Sequence, residues 1–407
     1  MKYYPLKDLC TAVIDCPHTT PKWQGDGVRV VRNFNLNRGR LDFTDGWFVD
    51  EETYLQRTKR AVPEPGDIII SREAPVGAAA IVPVGLKCCL GQRLVLLKPD
   101  RSRISPEYLI FALLSEQVQT QFRRADSTGS IVSNLCIPDL MEIQIPVCDD
   151  MQEETVKILS GINRAIELNE RQCSLLSRQL EMIYEQWFVR YDFPTGDGRT
   201  YRASGGVMEH NADIGCEIPA GWQVKGLLEL MSWNSGSQPP KSEHISEPRE
   251  GYVRFIQNRD YSDDSHITYI PESRRNRLCT EMDIMVDKYG SAGQTRFGIA
   301  GAYNVALSRI DVNGGSMREF IRSYLSSGDV KRYLSGSSVA STRASLSADN
   351  LSFLNVAVPP ENILAEYEGL AQAHIRRMIL LKKSSRRLEK LRDRLIPLLM
   401  SGKAYIK

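Results

Sequence analysis

The chain has 407 residues, of which 42% are hydrophobic and 25% charged, a composition that excludes a largely disordered protein. Its formal net charge is only +2, so any contact with nucleic acid has to come from local basic patches. The length predicts two or three domains with separate cores. No apolar signal-peptide segment and no run of about 18 apolar residues occurs, which predicts a cytoplasmic protein.

Common catalytic and cofactor motifs are absent from the sequence. None of GxxxxGK[ST], GxGxxG, HExxH and GxSxG occurs, and the nine cysteines include no CxxC pair. The acidic pairs closest in character to a nuclease site, Asp67 with Glu73 and Asp283 with Asp287, lack the usual spacing for holding a magnesium ion. We therefore predict neither a catalytic residue nor a metal ligand in this chain.

Residues 1–150 have the pattern of a compact domain that mixes helices and strands. Gly27–Asn33 reads as a short strand that runs into a polar loop, and Pro65–Arg72 reads as a turn followed by a buried strand. Arg93–Leu97 is a third strand candidate. Pro106 opens an amphipathic helix, and Ile143–Pro146 closes the domain.

Residues 151–190 are predicted to form one uninterrupted helix, because neither Pro nor Gly occurs between Asn163 and Val189. Its apolar residues are spaced alternately three and four apart, which is the seam of a coiled coil. A polar residue, Asn169, lies on this seam, where a buried amide often fixes the register of two helices. The seam residues are Leu159, Ile162, Ile166, Asn169, Cys173, Leu176, Leu180, Ile183 and Trp187.

Residues 191–215 are rich in Gly, Thr, Ser and Asp and are predicted to be a linker. The chain then repeats itself over residues 216–360. Val253–Asn258 matches the first strand candidate in its order of apolar, basic and polar residues, and Met282–Lys288 matches Gly66–Arg72. A second domain with the same scaffold and different loops is therefore predicted.

Residues 361–407 are predicted to hold a second long helix and a tail, with the helix running from Glu361 to Ile396 and ending at Pro397. A helix of equal length that returns along the first is antiparallel to it. The sequence thus predicts an α+β fold: two tandem, similar α/β domains separated by two long antiparallel coiled-coil helices with pseudo-twofold symmetry. The seam candidates on the second helix are Leu381, Leu388, Leu391, Leu395 and Leu398.

The candidate binding residues are polar side chains that end strands or lie in loops, mostly at matching places in the two repeats. Such side chains donate to phosphates and read base edges, with Arg suited to guanine and Asn to adenine. Arg29 and Arg254 have an alternative orientation, in which each points inward from its strand and pairs with an acid. The candidates are Arg29, Arg32, Asn33, Arg72, Arg93, Ser130, Arg254, Asn258, Arg259, Lys288, Arg296 and Thr342.

Several segments together carry a family resemblance that covers essentially the whole chain. They are Pro17–Pro21, Pro65–Arg72, Trp187–Pro194, Ile218–Trp222 and Leu395–Gly402. With the tandem domains and the two helices, the chain resembles the specificity subunit of a bacterial or archaeal type I restriction-modification system. The second repeat departs from the family pattern at Asp283–Lys288, where the first repeat has Gly66–Arg72. This difference weakens the assignment of the family's site residues to the second repeat.

The resemblance implies a noncatalytic DNA-binding subunit whose two domains each read one half of a split, asymmetric site. It implies that two modification subunits, which carry S-adenosylmethionine and methylate adenine, dock on the helices. Restriction subunits driven by ATP and magnesium would join the complex, and no cofactor would be bound by this chain.

Two other functions remain as alternatives from the residues alone. The first is a restriction endonuclease, or a fused methyltransferase, that uses Asp67 or Asp283 for a metal. The second is an assembly adaptor whose domains bind protein and not DNA. The recognised bases do not follow from the sequence, because they depend on which side chains reach the groove and on DNA deformation.

Overall fold

A computed structural model of the chain describes residues 1–43, 46–73, 75–126, 135–339 and 345–403. Internal contacts divide the chain into two units. The first unit is Met1–Ile166 with Arg387–Lys407, and the second unit is Glu167–Arg386. In the described part of the chain, no helix combines the length and the apolar character needed to cross a membrane.

In its described residues, the first unit combines short strands with four helices of its own and parts of two long helices. Its helices are α1 (Glu51–Arg57), α2 (Pro106–Leu114), α3 (Glu116–Asp126), α4 (Ile137–Glu142), the first part of α5 (Gln152–Tyr184) and the last part of α9 (Glu361–Met400). Its strands are β1 (Lys2–Pro5), β2 (Cys10–Asp15), β3 (Val28–Val31), β4 (Leu36–Asn37), β5 (Arg40–Leu41), β6 (Phe48–Val49), β7 (Ile68–Ser71), β8 (Ala79–Ile81), β9 (Cys88–Leu90), β10 (Leu94–Pro99) and β11 (Gln144–Val147).

Two sheets form the centre of the first unit. One is antiparallel in the order β2-β10-β7-β8, and the other has the order β6-β3-β9 with β3 and β9 parallel. Strand β7 is an apolar run because it is buried on both faces. Ile68 and Ile70 pack with Tyr108 of α2, while Ile69 packs with Val31 of the second sheet.

The second unit repeats this set of elements. Its helices are the rest of α5, α6 (Leu227–Leu230), α7 (Arg318–Ser326), α8 (Gly328–Val339) and part of α9 (Glu361–Met400). Its strands are β12 (Met208–Asn211), β13 (Cys216–Pro219), β14 (Gln223–Gly226), β15 (Met231–Ser235), β16 (Tyr252–Ile256), β17 (Thr268–Pro271), β18 (Leu278–Cys279), β19 (Ile284–Asp287), β20 (Thr295–Arg296), β21 (Gly301–Tyr303), β22 (Leu307–Val312) and β23 (Asn355–Val358).

The strand order confirms the predicted repeat. The antiparallel sheet β15-β22-β19-β20 corresponds strand by strand to β2-β10-β7-β8, and β17-β16-β21 corresponds to β6-β3-β9, again with one parallel pair. Strand β19 is also buried on both faces, since Ile284 and Val286 join one core cluster and Met285 joins another. The fold is therefore α+β with two tandem, similar domains.

Residues 191–215, predicted as a linker, are folded within the second unit. Tyr191 and Phe193 are buried, and the Phe193 ring stacks on Tyr201 and on Trp222 with centroids 4.7 and 5.5 Å apart. Strand β12 pairs with β13 in the same region. The polar composition that predicts a linker here reflects tight turns between buried aromatic residues.

The long helices are antiparallel in each unit. In the second unit Cys173 contacts Met378, and Tyr184, further along α5, contacts the earlier residue Tyr367 of α9. In the first unit Asn163 contacts Arg392, and Leu159 shares a core with Leu399. Helix α5 continues through one π-helical segment, Glu185–Val189, so the prediction of a long first helix is confirmed.

The predicted end of the second helix at Pro397 is wrong, because α9 continues to Met400. Pro397 has no backbone N–H, so the helix lacks one hydrogen bond at this residue, and about one further turn follows it. Leu399 and Met400 of that turn are 2% and 1% exposed in the first core. Burial of these two side chains outweighs the missing hydrogen bond.

Candidate nucleic-acid interface

In the first unit, several strands end or begin at a single edge of the two sheets. The register places the end of β2 at Asp15 beside the start of β10 and the end of β7. Strands β3 and β9 are parallel and finish together, because Val31 pairs with Leu90. The residues that follow these strand ends therefore form one loop surface.

Arg72 lies at this edge as an anchor of the loop surface. Its Nη1 atom donates to both Asp15 carboxylate oxygens at 3.0 and 3.1 Å, and its Nε atom donates to the Leu135 carbonyl at 2.8 Å. Only 12% of the side chain is exposed. Two-point pairing of this kind fixes the end of β2 against the end of β7.

Arg93 lies beside Arg72 and is more accessible. Its backbone has a left-handed φ of +69°, and its Nε atom is 2.9 Å from a Glu73 carboxylate oxygen. About half of the Arg93 side chain, 54%, is exposed. A cation with this exposure keeps donors that face solvent and are available to a phosphate.

Arg29, within β3, and Arg32, directly after β3, both lie against aromatic rings. The Arg29 guanidinium carbon lies 4.9 Å from the Phe43 ring centre and 5.2 Å from that of Phe48. The Arg32 guanidinium carbon lies 4.8 Å from Phe34, 4.8 Å from Trp47 and 5.5 Å from Trp23. Cation–π contacts of this type restrict a long side chain without using its hydrogen-bond donors.

Arg57, which no sequence pattern indicates, holds the loop after β2. Buried Arg57 donates from Nε to the Leu90 carbonyl at 2.9 Å, from Nη1 to that of Thr19 at 3.0 Å and from Nη2 to that of Pro17 at 3.2 Å. Gln92 adds a bond to the His18 carbonyl at 2.6 Å. A fork of donors that reaches three carbonyls gives the loop one shape.

We expect Arg57→Lys to destabilise the first unit by about 1 to 3 kcal/mol. A single ammonium group does not reach all three carbonyls, so at least one buried acceptor loses its partner. Thermal unfolding of the purified chain measures the change. Arg60→Lys is the matched control, because Arg60 is exposed and makes one long bond, 3.5 Å, to the Asp15 carbonyl. Equal stability of the two variants would contradict this role of Arg57.

The second unit has the corresponding edge, with different pairings. Arg254 points to Asp264 at 3.1 Å, as its alternative orientation predicts, and 18% of its side chain is exposed. Asn258 donates to the Tyr289 carbonyl at 3.3 Å. Lys288 donates to Ser235 at 3.2 Å, and burial lowers its pKa below the ordinary value. Arg259 is exposed next to Asn258.

Arg296 belongs to a buried pair in the second unit. Its Nη2 atom is 3.0 Å from a carboxylate oxygen of Asp287, which is 1% exposed. Burial raises the pKa of the Asp287 carboxyl, and Arg296 opposes that shift. The equivalent strand pair of the first unit carries Ser71 and Ala80, so this ion pair is specific to the second unit. Arg296 thus has a structural partner inside the fold.

Two further candidates, Ser130 and Thr342, lie outside the described residues. Asn33, the candidate after Arg32, is half-buried at the start of a 3₁₀ turn, Asn33–Asn35. Seven of the ten described candidates fall into two groups. Arg72, Arg254 and Arg296 are largely buried beside carboxylates and stabilise loops. Arg32, Arg259, Lys288 and the half-exposed Arg93, which also pairs with Glu73, present polar atoms at the two loop surfaces.

Asp67 and Asp283, the carboxylates of the endonuclease alternative, form equivalent turns. Asp67 accepts from the Glu64 backbone N–H at 2.9 Å and from Lys98 at 2.9 Å, and Asp283 accepts from the Thr280 backbone N–H at 2.6 Å. Both bonds close the turn before a buried strand. Among the residues that the structure describes, no three His, Cys, Asp or Glu side chains are grouped as metal ligands.

The long helices bury the seam predicted for α5. Leu159, Ile166 and Leu180 are buried, while Ile162, Asn169, Leu176 and Ile183 are half-buried. On α9, Leu381 is buried and Leu388 and Leu395 are half-buried, but the expectation for Leu391 and Leu398 is wrong, because they are 46% and 44% exposed. The α9 seam runs through Leu364, Tyr367, Ala371, His374, Met378, Leu381, Ser385, Leu388, Arg392, Leu395 and Leu399.

Arg392 and Asn163 form a polar contact between the helices that the sequence analysis missed. Arg392 is 3% exposed and donates to the Asn163 side-chain oxygen at 3.1 Å and to Asp393 at 3.0 Å. Asp393 also accepts from Arg38 of the β4–β5 turn at 3.3 Å. A buried cation on a seam aligns the helices only where its partners are present, so it fixes their register within the first unit.

We expect opposite effects from removing two amides of α5. Asn163→Leu takes an acceptor from buried Arg392 and should lower the melting temperature of the chain. Asn169→Leu places an apolar side chain on the half-buried seam and should raise it. Thermal unfolding of both variants tests this contrast. A fall in melting temperature for Asn169→Leu would show that Asn169 has a polar partner of its own.

The chain alternates two similar α+β domains with two long helices, and each domain has a polar loop surface. A model of the type I restriction modification DNA specificity domain matches residues 1–177. The type I restriction enzyme MjaIX specificity subunit of Methanocaldococcus jannaschii is 24% identical over 97% of this chain and 88% of its own length. The HindI specificity subunit of Haemophilus influenzae is 19% identical over 85% and 88%.

A crystal structure of the type I restriction-modification S subunit from M. genitalium has the same fold. The TM-score is 0.57 at 14% identity, and the match covers 98% of this chain and 95% of that one. Residues 1–177 thus match the DNA specificity domain, and the chain as a whole is similar to type I restriction enzyme specificity subunits. These relatives are named specificity subunits, the same class that the sequence resemblance indicates.

Proposed function

We propose that each unit reads one half of a bipartite sequence in double-stranded DNA through its loop surface. The observation that carries this proposal is the repetition of one scaffold with two different sets of polar side chains at equivalent strand ends. A single surface used twice suits two half-sites, and different side chains suit two different base sequences. The cytoplasmic location predicted from the sequence accords with a DNA target.

The long helices have two roles in this proposal. They set the distance between the half-sites, and their outward faces dock two modification subunits. S-adenosylmethionine belongs to those modification subunits, and ATP with magnesium belongs to restriction subunits that join the complex. Exposed apolar side chains such as Leu168, Leu175 and Met182 of α5, each more than half exposed, support a protein contact on these faces.

The test is to map methylated adenines in a host that expresses the chain with its modification subunits. The proposal predicts one bipartite motif with a fixed gap, and loss of all of its methylation when the chain is omitted. Binding of purified complex to DNA with and without that motif gives an independent measure. A modification complex that methylates the same sites without this chain would overturn the proposal. A chain that assembles the subunits and leaves the motif unchanged on exchange of its two domains would favour the adaptor alternative.

A further inference from the structure

Arg32 and Gln257 occupy the same position in the two units. Each follows the central strand of the three-stranded arrangement, Arg32 after β3 and Gln257 after β16, and each precedes a 3₁₀ turn. Their backbone angles agree, with φ −120° and ψ 165° for Arg32 and φ −120° and ψ 162° for Gln257. Their Cα–Cβ bonds therefore leave equivalent scaffolds in the same direction.

The backbone frame around this position is also the same in both units. The Arg32 N–H donates to the Asn35 side chain at 2.9 Å, and the Gln257 N–H donates to Asp260 at 3.0 Å. In return the Asn35 and Asp260 N–H groups donate to the carbonyls of Arg32 and Gln257 at 2.9 and 3.0 Å. The frame is kept while the side chain differs, which is what a position that determines specificity requires.

Both side chains have unused hydrogen-bonding groups. In the described parts of the chain, neither the Arg32 guanidinium nor the Gln257 amide has a hydrogen bond or an ion pair. Both residues are half-buried, and neither contributes an unpaired buried polar atom, so these groups reach the surface. A half-buried group with free donors favours a ligand that supplies acceptors.

Aromatic rings around Arg32 hold its guanidinium group in place, which favours contact with a rigid planar partner. Three rings hold its guanidinium carbon at 4.8 to 5.5 Å, and Phe34 is itself 48% exposed. The side chain is thus ordered before any partner arrives, which lowers the entropic cost of binding. Gly91 lies against the Arg32 stem, where an added Cβ would be 3.2 Å from Cγ and 2.9 Å from the Val31 carbonyl oxygen, so only glycine leaves this arrangement undisturbed.

Resting on the function proposed above, we propose that Arg32 and Gln257 are the equivalent base-reading residues of the two half-sites. An arginine donates two hydrogen bonds to O6 and N7 of guanine, and a glutamine pairs with N6 and N7 of adenine in the major groove. The first unit therefore reads a G·C pair at this position. The second unit reads an A·T pair at the equivalent position of the other half-site.

Exchange of the two side chains tests the assignment in the complete modification complex. Mapping of methylated adenines should show that Arg32→Gln relaxes or converts one G·C position in one half-site and leaves the other half-site unchanged. Gln257→Arg should alter one A·T position in the opposite half-site. Arg103→Gln removes the same charge from a turn of the first unit, where Arg103 is 58% exposed beside Asp100, and should leave the motif unchanged.

If a variant complex methylates no DNA, its binding to chemically modified DNA still tests the assignment. Replacing the contacted guanine by 7-deazaguanine removes the N7 acceptor and should weaken binding of the unaltered complex roughly 5- to 150-fold. The same replacement should have no further effect on the Arg32→Gln complex. If the unaltered complex shows a bipartite motif and both variants keep it intact, this assignment is overturned and the proposed function stands. If no bipartite motif is found, the proposed function itself fails.

Discussion

Arg322→Met is expected to destabilise the second unit by about 3 kcal/mol. Arg322 is 4% exposed and Glu319 is 1% exposed, and the Arg322 Nε atom lies 2.6 Å from the Glu319 carboxylate. Removing one member of a buried ion pair costs about 3–5 kcal/mol, because the remaining charge loses its partner. We expect the low end of that range, since Arg318 still lies 3.2 Å from Glu319.

The same guanidinium also holds the turn that leads into β19. It donates to the Met282 carbonyl at 2.6 Å and to the Asp283 carbonyl at 3.4 Å. The readout is therefore hydrogen exchange of the β19 amides under native conditions, which reports opening of this unit and not of the whole chain. Protection of β19 should fall by roughly 100-fold or more, at about 1.4 kcal/mol per tenfold change.

Two further variants distinguish a buried pair from charge in general. Arg332→Met on α8 breaks an ion pair with Asp329 whose members are 81% and 89% exposed, and it should leave protection of β19 unchanged. Glu319→Gln combined with Arg322→Met removes both charges and should recover part of the loss. Equal protection in Arg322→Met and the original protein would show that the pair contributes nothing to the second unit.

The repeated scaffold could be predicted because both copies carry the same strong local signals. Ile68–Ser71 and Ile284–Asp287 are short apolar runs after a turn closed by an aspartate, and such runs identify buried strands in a single sequence. The first long helix was equally predictable, because its apolar spacing and lack of Gly and Pro leave few other structures. The spacing of apolar residues and the local composition are therefore enough to predict these strands and this helix.

The seam of α9 and the inner contacts of the loops could not be predicted in the same way. Leu391 and Leu398 are exposed, whereas Arg392 takes the seam position, because Asn163 and Asp393 supply its partners from the fold. Nothing in the neighbouring sequence distinguishes Arg57 from the other arginines. Its role depends on carbonyls that are more than 30 residues away, so only the tertiary structure identifies it.

Adding one heptad to each long helix is expected to lengthen the gap in the recognised DNA by about three base pairs. This expectation follows from the proposed function, in which the helices set the distance between half-sites. Seven residues add about 10 Å at 1.5 Å per residue and keep the seam in phase. At about 3.4 Å per base pair, that length equals about three base pairs.

The contact between Cys173 and the Met378 carbonyl shows where to insert. One heptad goes after Cys173 of α5 and the other after Met378 of α9, so that the two insertions stay opposite each other. The matched control adds the heptad to α5 alone, which shifts the seams out of register and should abolish methylation. Equal methylation patterns in the single and double insertions would contradict a role for register.

The longer gap also changes the angle between the two half-sites around the DNA axis. Three base pairs also rotate the duplex by about a quarter to a third of a turn, at about 10 to 10.5 base pairs per turn. Binding to a series of DNA duplexes that hold both half-sites and differ in gap by one base pair locates the new optimum, including any offset due to twist. The optimum should move to a longer gap while both half-site sequences stay the same. An optimum that stays at the original gap would show that the helices do not set the spacing, because only their length has changed.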